Sequence, residues 1–242
     1  MRNALKLCLS LLAFTALAQQ PNAVEITAEP SHHLVMENSQ LRAFNVLAPA
    51  NASTLVHRHN YDYIFVTLGD TDITNERVGE QPVKMSLKDG EVRFTKGGFA
   101  HAVVNNSTHP FHNITVELLR PSTGVQRCET SCEIPVPCSS PDKAKCATLR
   151  KVLESDQWIV TSLSMPPGST FSDYTHSGPH LQIAVSDFRL KQQRQGGREF
   201  EAQRSIGDLA WTEPLVLTLT NTGAQTASIV NLEFKPAPVT HP

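Results

Sequence analysis

No basic stripe runs anywhere along this chain. Its 21 Lys and Arg against 23 Asp and Glu give a net charge of -2, which argues against an electrostatic grip on nucleic acid or anionic lipid. No apolar run beyond the first twenty residues is long enough to span a bilayer. There is no phosphate-cradling glycine loop and no G-x-S-x-G elbow, so phosphoryl transfer and serine hydrolase chemistry have no support. Helical periodicity is weak as well; residues 143–155, with Ala147, Leu149, Val152 and Leu153, form the only decent helix candidate.

The start of the chain reads as an address. Arg2 and Lys6 precede an apolar run over residues 7–16, and Ala16-Leu17-Ala18 supplies the small residues of a cleavage site. Residues 1–18 are therefore expected to be a signal peptide, with a secreted or periplasmic product starting near Gln19. Losing Arg2 and Lys6 would move the net charge from -2 to -4. Cys8 would leave with the signal, and Leu5-Lys6-Leu7 before it is unlike a lipoprotein setting. Cys128, Cys132, Cys138 and Cys146 remain, clustered in one stretch. An even set in an oxidising compartment predicts two disulfides, with three connectivities open. No pair is C-x-x-C, so a zinc site is the weaker reading.

What is present is β-sequence. Residues 41–47, 63–68, 114–119, 159–163, 181–185, 215–219 and 228–234 are short and rich in Val, Ile, Leu and Phe, with Gly, Asn, Asp and Pro between them. Many short strands with little helix predict a sandwich or barrel. The two halves also resemble one another. Asp89-Gly90-Glu91-Val92-Arg93-Phe94 parallels Ile206-Gly207-Asp208-Leu209-Ala210-Trp211, and Asn105 parallels Asn221. Ile114-Thr115-Val116-Glu117-Leu118 parallels Val230-Asn231-Leu232-Glu233-Phe234. One β unit used twice accounts for this. The expected division is residues 19–120, a Cys- and Pro-rich linker over 121–150, and residues 151–242.

His57-Arg58-His59 carries the chemistry. Residues two apart on a strand point to one face, so both imidazoles can converge on one ion. Ten histidines in 242 residues produce such a pair by chance about 0.4 times, so context must supply the weight. It comes from Gly98-Phe99-Ala100-His101-Ala102-Val103-Val104-Asn105, a glycine turn leading a third histidine into an apolar strand.

These motifs resemble the cupin superfamily, whose first motif is H-x-H followed by Glu and Gly, and whose second is G-x5-P-x-G-x-x-H-x-x-x-N. His57 and His59 match the first pair, Gly69 its glycine, and Gly90, Gly98, His101 and Asn105 match the second motif in order and spacing. The resemblance is strong over residues 40–120 and weak over 150–236. It implies an all-β chain of two cupin-like jelly-roll barrels, the second degenerate. It also implies one divalent metal held by His57, His59 and His101 inside the first.

Two departures stand out. The family's glutamate position, counted from His59, is Tyr63, and counted back from Gly69 it is Asp62; Lys96 replaces the proline. Tyr61, Asp62, Tyr63 and Asn105 are expected to line the pocket. Three neutral imidazoles suit Fe(II), Zn, Cu or Ni better than Mn. In the second half Leu217 stands where His101 has its counterpart, and His176 and His180 are four apart where the first pair would align, so a second metal is not expected. His32-His33 could sit near a barrel mouth, with solvated surface the favoured reading, and His109 and His112 read as loop residues. Asn51, Asn106 and Asn113 head glycosylation acceptor triplets, meaningful in a eukaryotic secretory route.

The sequence thus predicts an exported metal-binding protein acting on a small molecule, with a three-histidine dioxygenase-like site as the catalytic reading. A non-catalytic barrel holding a small ligand or sugar is the alternative, and a homo-oligomer built through the paired barrels is a third.

Overall fold

The computed structural model describes residues 22–138 and 140–236; the expected signal at residues 1–18 lies outside them. The first half is built from β1 (Val24–Glu25), β2 (His32–Glu37), β3 (Leu41–Ala48), β4 (His57–His59), β5 (Tyr63–Leu68), β6 (Thr71–Arg77), β7 (Val83–Leu87), β8 (Val92–Thr95), β9 (Phe99–Asn105) and β10 (Phe111–Leu118). They form two five-stranded sheets, ordered β1-β4-β9-β6-β7 and β2-β3-β10-β5-β8. Every pairing is antiparallel except β1 with β4. Alternation decides what each strand shows the interior. In β4, His57 and His59 are buried and Arg58 between them is exposed.

The second half follows as β11 (Gln126–Arg127), β12 (Glu133–Ile134), β13 (Thr148–Glu154), β14 (Trp158–Met165), β15 (Thr170–His176), β16 (His180–Ala184), β17 (Phe188–Arg194), β18 (Glu199–Arg204), β19 (Leu209–Thr212), β20 (Leu215–Asn221) and β21 (Ala227–Phe234). A sheet ordered β11-β13-β14-β21-β16-β19, with β12 also on β13, is accompanied by a four-stranded sheet β15-β20-β17-β18. The expected all-β architecture of two jelly-roll units is what the chain adopts.

The internal repeat is visible at the level of single hydrogen bonds. Gly90 N–H donates to Thr67 C=O at 2.9 Å, and Gly207 N–H to Ala184 C=O at 2.8 Å. Both glycines have positive φ, +71° and +85°, the left-handed region that a side chain strains. Asp70 accepts from Asp89 N–H and Asp187 from Ile206 N–H, bracing the same turn in each half. Asn105 Nδ2 donates to the carbonyls of Ala48 and His109; Asn221 Nδ2 does so to Met165 and Gln225.

One apolar core joins the halves. Leu41, Ile64, Val66, Ile114 and Val116 of the first pack with Trp158, Val160, Leu181, Ile183 and Leu232 of the second. The repeated turns close onto this junction reciprocally. A Cβ on Gly90 would stand 3.3 Å from Val185, and one on Gly207 3.2 Å from His112. His112 is accordingly a strand residue of β10, bonded to Asn45 Oδ1 at 2.9 Å, rather than a loop residue; His109 is exposed.

The helix expected over residues 143–155 does not form. A single 3-10 turn, Lys143–Lys145, leads into β13. The register of β13 on β14 slips between Lys151 and Leu153, so the buried residues Leu149 and Leu153 stand four apart. A β-bulge thus imitates helical spacing. The cysteines pair locally, Cys128 with Cys132 and Cys138 with Cys146. Their stretch runs along β13, with Cys128 N–H on Val152 C=O and Lys151 N–H on Cys132 C=O.

A four-histidine cluster in the first barrel

The sequence-predicted triad comes together inside the first barrel. β4 and β9 pair with His57 directly opposite His101. The ring of His101 lies 4.5 Å from that of His57 and 5.1 Å from that of His59, centroid to centroid, and His57 and His59 are 5.1 Å apart. A fourth histidine joins them. His32 is buried on β2, its ring 4.6 Å from His57. The group whose donor atoms all lie within 4.8 Å of one another is His32, His57 and His59. His101 packs on the rings of His57 and His59 but is not a member of that group. The expectation of a solvated His32-His33 pair therefore holds for His33 and fails for His32, because adjacent strand residues face opposite ways.

Three of the four rings are held from behind through Nδ1. His32 Nδ1 is 2.6 Å from Glu29 Oε2, His57 Nδ1 is 2.9 Å from Leu55 C=O, and His101 Nδ1 is 2.6 Å from Asn75 Oδ1. His59 Nδ1 faces Glu117 Oε1 at 3.8 Å. With Nδ1 of His32, His57 and His101 so engaged, Nε2 is their nitrogen left for the interior. Among the described residues, Nε2 of His57, Nε2 of His101 and Nδ1 of His59 are buried without a hydrogen-bond partner. Orphaned buried nitrogens cost free energy unless something accepts their lone pairs, and metal-binding histidines are characteristically fixed through the other ring nitrogen. The donor set fits a divalent transition metal.

Electrostatics keep the His57, His59 and His101 rings neutral. Burial, then the neighbouring His32, pushes His57 down to about 4. Burial, then His57 and His32, pushes His101 to about 2, and burial with His101 and His57 lowers His59 as well. Neutral imidazoles are the ligating form. The Tyr63 phenol is driven up to about 12, chiefly by burial, and stays protonated; its ring stacks on His59 at 4.1 Å.

Glu117 is the carboxylate that the motif count did not find. It is fully buried on β10, takes Arg42 Nη2 on Oε2 at 2.6 Å, and leaves Oε1 toward His59. Burial raises its carboxyl pKa against the pull of Arg42. The sequence signal was a glutamate inside the apolar run of residues 114–118, repeated as Glu233. Of the residues expected to line the pocket, Tyr63 does so. Tyr61 is exposed against Arg42. Asp62 binds the Gly97 N–H and Lys96 Nζ, both at 3.0 Å, which is turn bracing. Asn105 ties together the backbone of Ala48, Pro49 and His109. Asn113, one of the glycosylation triplets, is buried in β10, whereas Asn51 and Asn106 are exposed.

The rings open onto a cavity of about 350 Å³ lined by Val46, Phe65, Ile73, Met85, Phe94, Val103 and Phe111, with Arg77, Glu80 and Arg93 among its polar residues.

Solved structures with this architecture include AerE from Microcystis aeruginosa, 13% identical over 86% of this chain and 99% of that one, TM-score 0.57. Oxalate decarboxylase from Bacillus subtilis is 11% identical over 84% and 75%, TM-score 0.55. A cupin 2 conserved barrel domain protein from Leptotrichia buccalis is 7% identical over 84% and 88%, TM-score 0.50. The fold is that of the cupins. No protein-family model matches the sequence, and no curated protein does. The Bacillus subtilis decarboxylase is described by its Mn(II) centres.

The second cupin barrel has repacked the equivalent position. His180 pairs with Glu233 across β16 and β21 as Tyr63 pairs with Glu117 across β5 and β10. His176 is thus the counterpart of His59, and His180 of Tyr63, not of the H-x-H pair. Tyr174 occupies the place of His57. The His176 and His180 rings stack at 3.6 Å with 18° between planes, so their lone pairs run side by side and no single ion can lie in both ring planes. Glu233 accepts from His176 Nδ1, Ser177 and Gly178, and these bonds outweigh burial to hold it at about 2.

This pair predicts a pH dependence. Burial, then His176, lowers His180 from 6.5 to about 4, so the folded barrel binds fewer protons than the unfolded chain between those values. The stability involved is fully present above pH 6.5 and is lost as pH falls toward 4, up to ~3 kcal/mol at 1.36 kcal/mol per unit. Urea midpoints for wild type and His180→Leu at pH 7, 5.5 and 4 should show a shallower slope in the variant; parallel slopes would remove His180 from the account.

Proposed function

We propose that this chain is an exported cupin that binds one divalent transition metal (Fe(II), Zn, Cu or Ni) in its first barrel and acts there on a small molecule. His57, His59 and His101 are the ligands, with His32 as the fourth nitrogen where the family's glutamate is missing. Glu117, Glu29, Leu55 and Asn75 orient the rings from behind. The second barrel, from about residue 151 onward, stabilises the first. Export is supported by the basic-apolar-small start of the sequence and by the two cysteine pairs, which suit an oxidising compartment.

The observation that carries this reading is the pair of orphaned Nε2 atoms of His57 and His101, in a cluster where the Nδ1 atoms of His32, His57 and His101 are bonded to protein acceptors. A bound cation would supply a Lewis acid with positions open to water or a substrate oxygen. The residues themselves do three things. The imidazoles of His57, His59 and His101 stay neutral, the apolar wall of Phe65, Ile73 and Phe94 excludes water from the reacting groups, and the protonated Tyr63 can donate its phenolic hydrogen into the cavity.

Metal analysis of wild type beside His57→Ala, His101→Ala and His32→Ala tests the ligand set. Loss of metal is expected in the first two and weakened binding in the third. Unchanged content in His57→Ala and His101→Ala would move the site elsewhere.

A further inference from the structure

The geometry points to Arg77 as the anchor for the carboxylate of a small, otherwise apolar acid held in the histidine cavity. The inference rests on the proposed role of that cavity as the place where a small molecule binds, but it does not require the metal.

Arg77 ends β6 directly opposite His101 on β9, which places its guanidinium at the mouth of the site. The guanidinium carbon lies 4.0 Å over the ring of Phe99, a contact that fixes the plane of the fork. Its charge has only a loose, solvent-exposed ion-pair partner within the fold. The nearest acid, Glu80, is 3.8 Å away, outside hydrogen-bond reach, on a side chain that is 60% exposed. No side-chain hydrogen bond engages the Arg77 guanidinium among the described residues. Arg93, the other cation lining the cavity, is different: Nε donates to Glu91 at 2.7 Å.

The cavity's remaining chemistry selects the ligand. The acid among its lining residues, Glu80, is 60% exposed and faces Arg77, while Glu29 and Glu117 stand behind the rings and are bonded to His32 and Arg42. The interior is Phe65, Ile73, Met85, Phe94 and Phe111, which favours an apolar body. At about 350 Å³ the space is at the small end of ligand pockets. A planar carboxylate matches the two-pronged donor face of a guanidinium, as a hydroxyl or amine does not. The ligand class is therefore a monocarboxylate with a compact apolar or aromatic body, its acid on Arg77 and its body against the phenylalanines.

Benzoate and hexanoate serve as probes, titrated by calorimetry against full-length protein in metal-free and zinc-loaded forms. Saturable binding of at least one acid is expected in both forms, with benzylamine and benzyl alcohol about tenfold weaker or worse. Arg77→Gln should weaken the acid by about tenfold or more, Arg77→Lys should recover only part of that loss because the ammonium keeps the charge without the planar fork, and Arg93→Gln should change it by less than about threefold. Thermal melts and metal content of the same samples accompany each titration. A chain that holds no metal yet binds benzoate through Arg77 overturns the metal reading and upholds this one. No saturable binding of either acid, undiminished affinity in a folded Arg77→Gln variant, or amine binding as tight as acid binding would each overturn the Arg77 subsite.

Discussion

Replacing Glu117 with Ala should cost the first barrel both stability and metal affinity. The carboxylate is fully buried, and its partner Arg42 is one-fifth exposed. Removing one member of a buried pair leaves the other charge uncompensated, which typically costs 3–5 kcal/mol; the path that Arg42 keeps to water places the expected loss near ~3 kcal/mol. The same side chain faces Nδ1 of His59. Loss of such a partner behind a ligating imidazole lowers metal affinity by about 10–100-fold. Glu117→Gln should separate the two effects, since the amide keeps the shape and can still accept from His59 while giving up the charge that Arg42 needs. Urea titration and a chelator competition assay read them independently. A Glu117→Ala protein with wild-type metal affinity would remove Glu117 from the site.

The second large effect is expected at Trp158, which lies in the core shared by both halves. Its indole is buried, 5.8 Å centroid to centroid from Phe94 of the first barrel. Trp158→Ala should destabilise by ~3–5 kcal/mol through the cavity it leaves. Because the core is continuous across the junction, the whole chain should still unfold in one transition. Fluorescence of the remaining Trp211 and far-UV circular dichroism should give coincident, equally shifted curves. Two separated transitions, with only one displaced, would mean that the barrels are energetically independent.

What the sequence disclosed depended on whether the physics was local. Strand alternation and the repeated turns at Gly90 and Gly207 are local, so the strand pattern and the doubled unit could be read directly. His57, His59 and His101 were legible because two motifs with fixed spacing carry them. His32 was not. A histidine doublet reveals which member is buried only once its strand and pairing partner are known, and β2 is placed by β3, with His32 opposite Val46, fourteen residues further along the chain. Glu117 had a signal, a charge repeated within an apolar strand, but its meaning depends on β10 running behind His59. The helix over residues 143–155 failed for a local reason, the bulge in β13 that sets Leu149 and Leu153 four apart. Asp62 and Asn105 illustrate the reverse case. Motif position placed them beside the site, and their hydrogen bonds commit both to holding turns.

The account turns on the four-histidine cluster. Wild-type protein, stripped and then reconstituted separately with Fe(II), Zn, Cu and Ni, should retain about one equivalent of at least one of these metals after exhaustive dialysis, with an X-ray absorption spectrum showing three or four imidazole nitrogens. Less than about a tenth of an equivalent of every metal tested, or a bound metal without imidazole scattering, would contradict it.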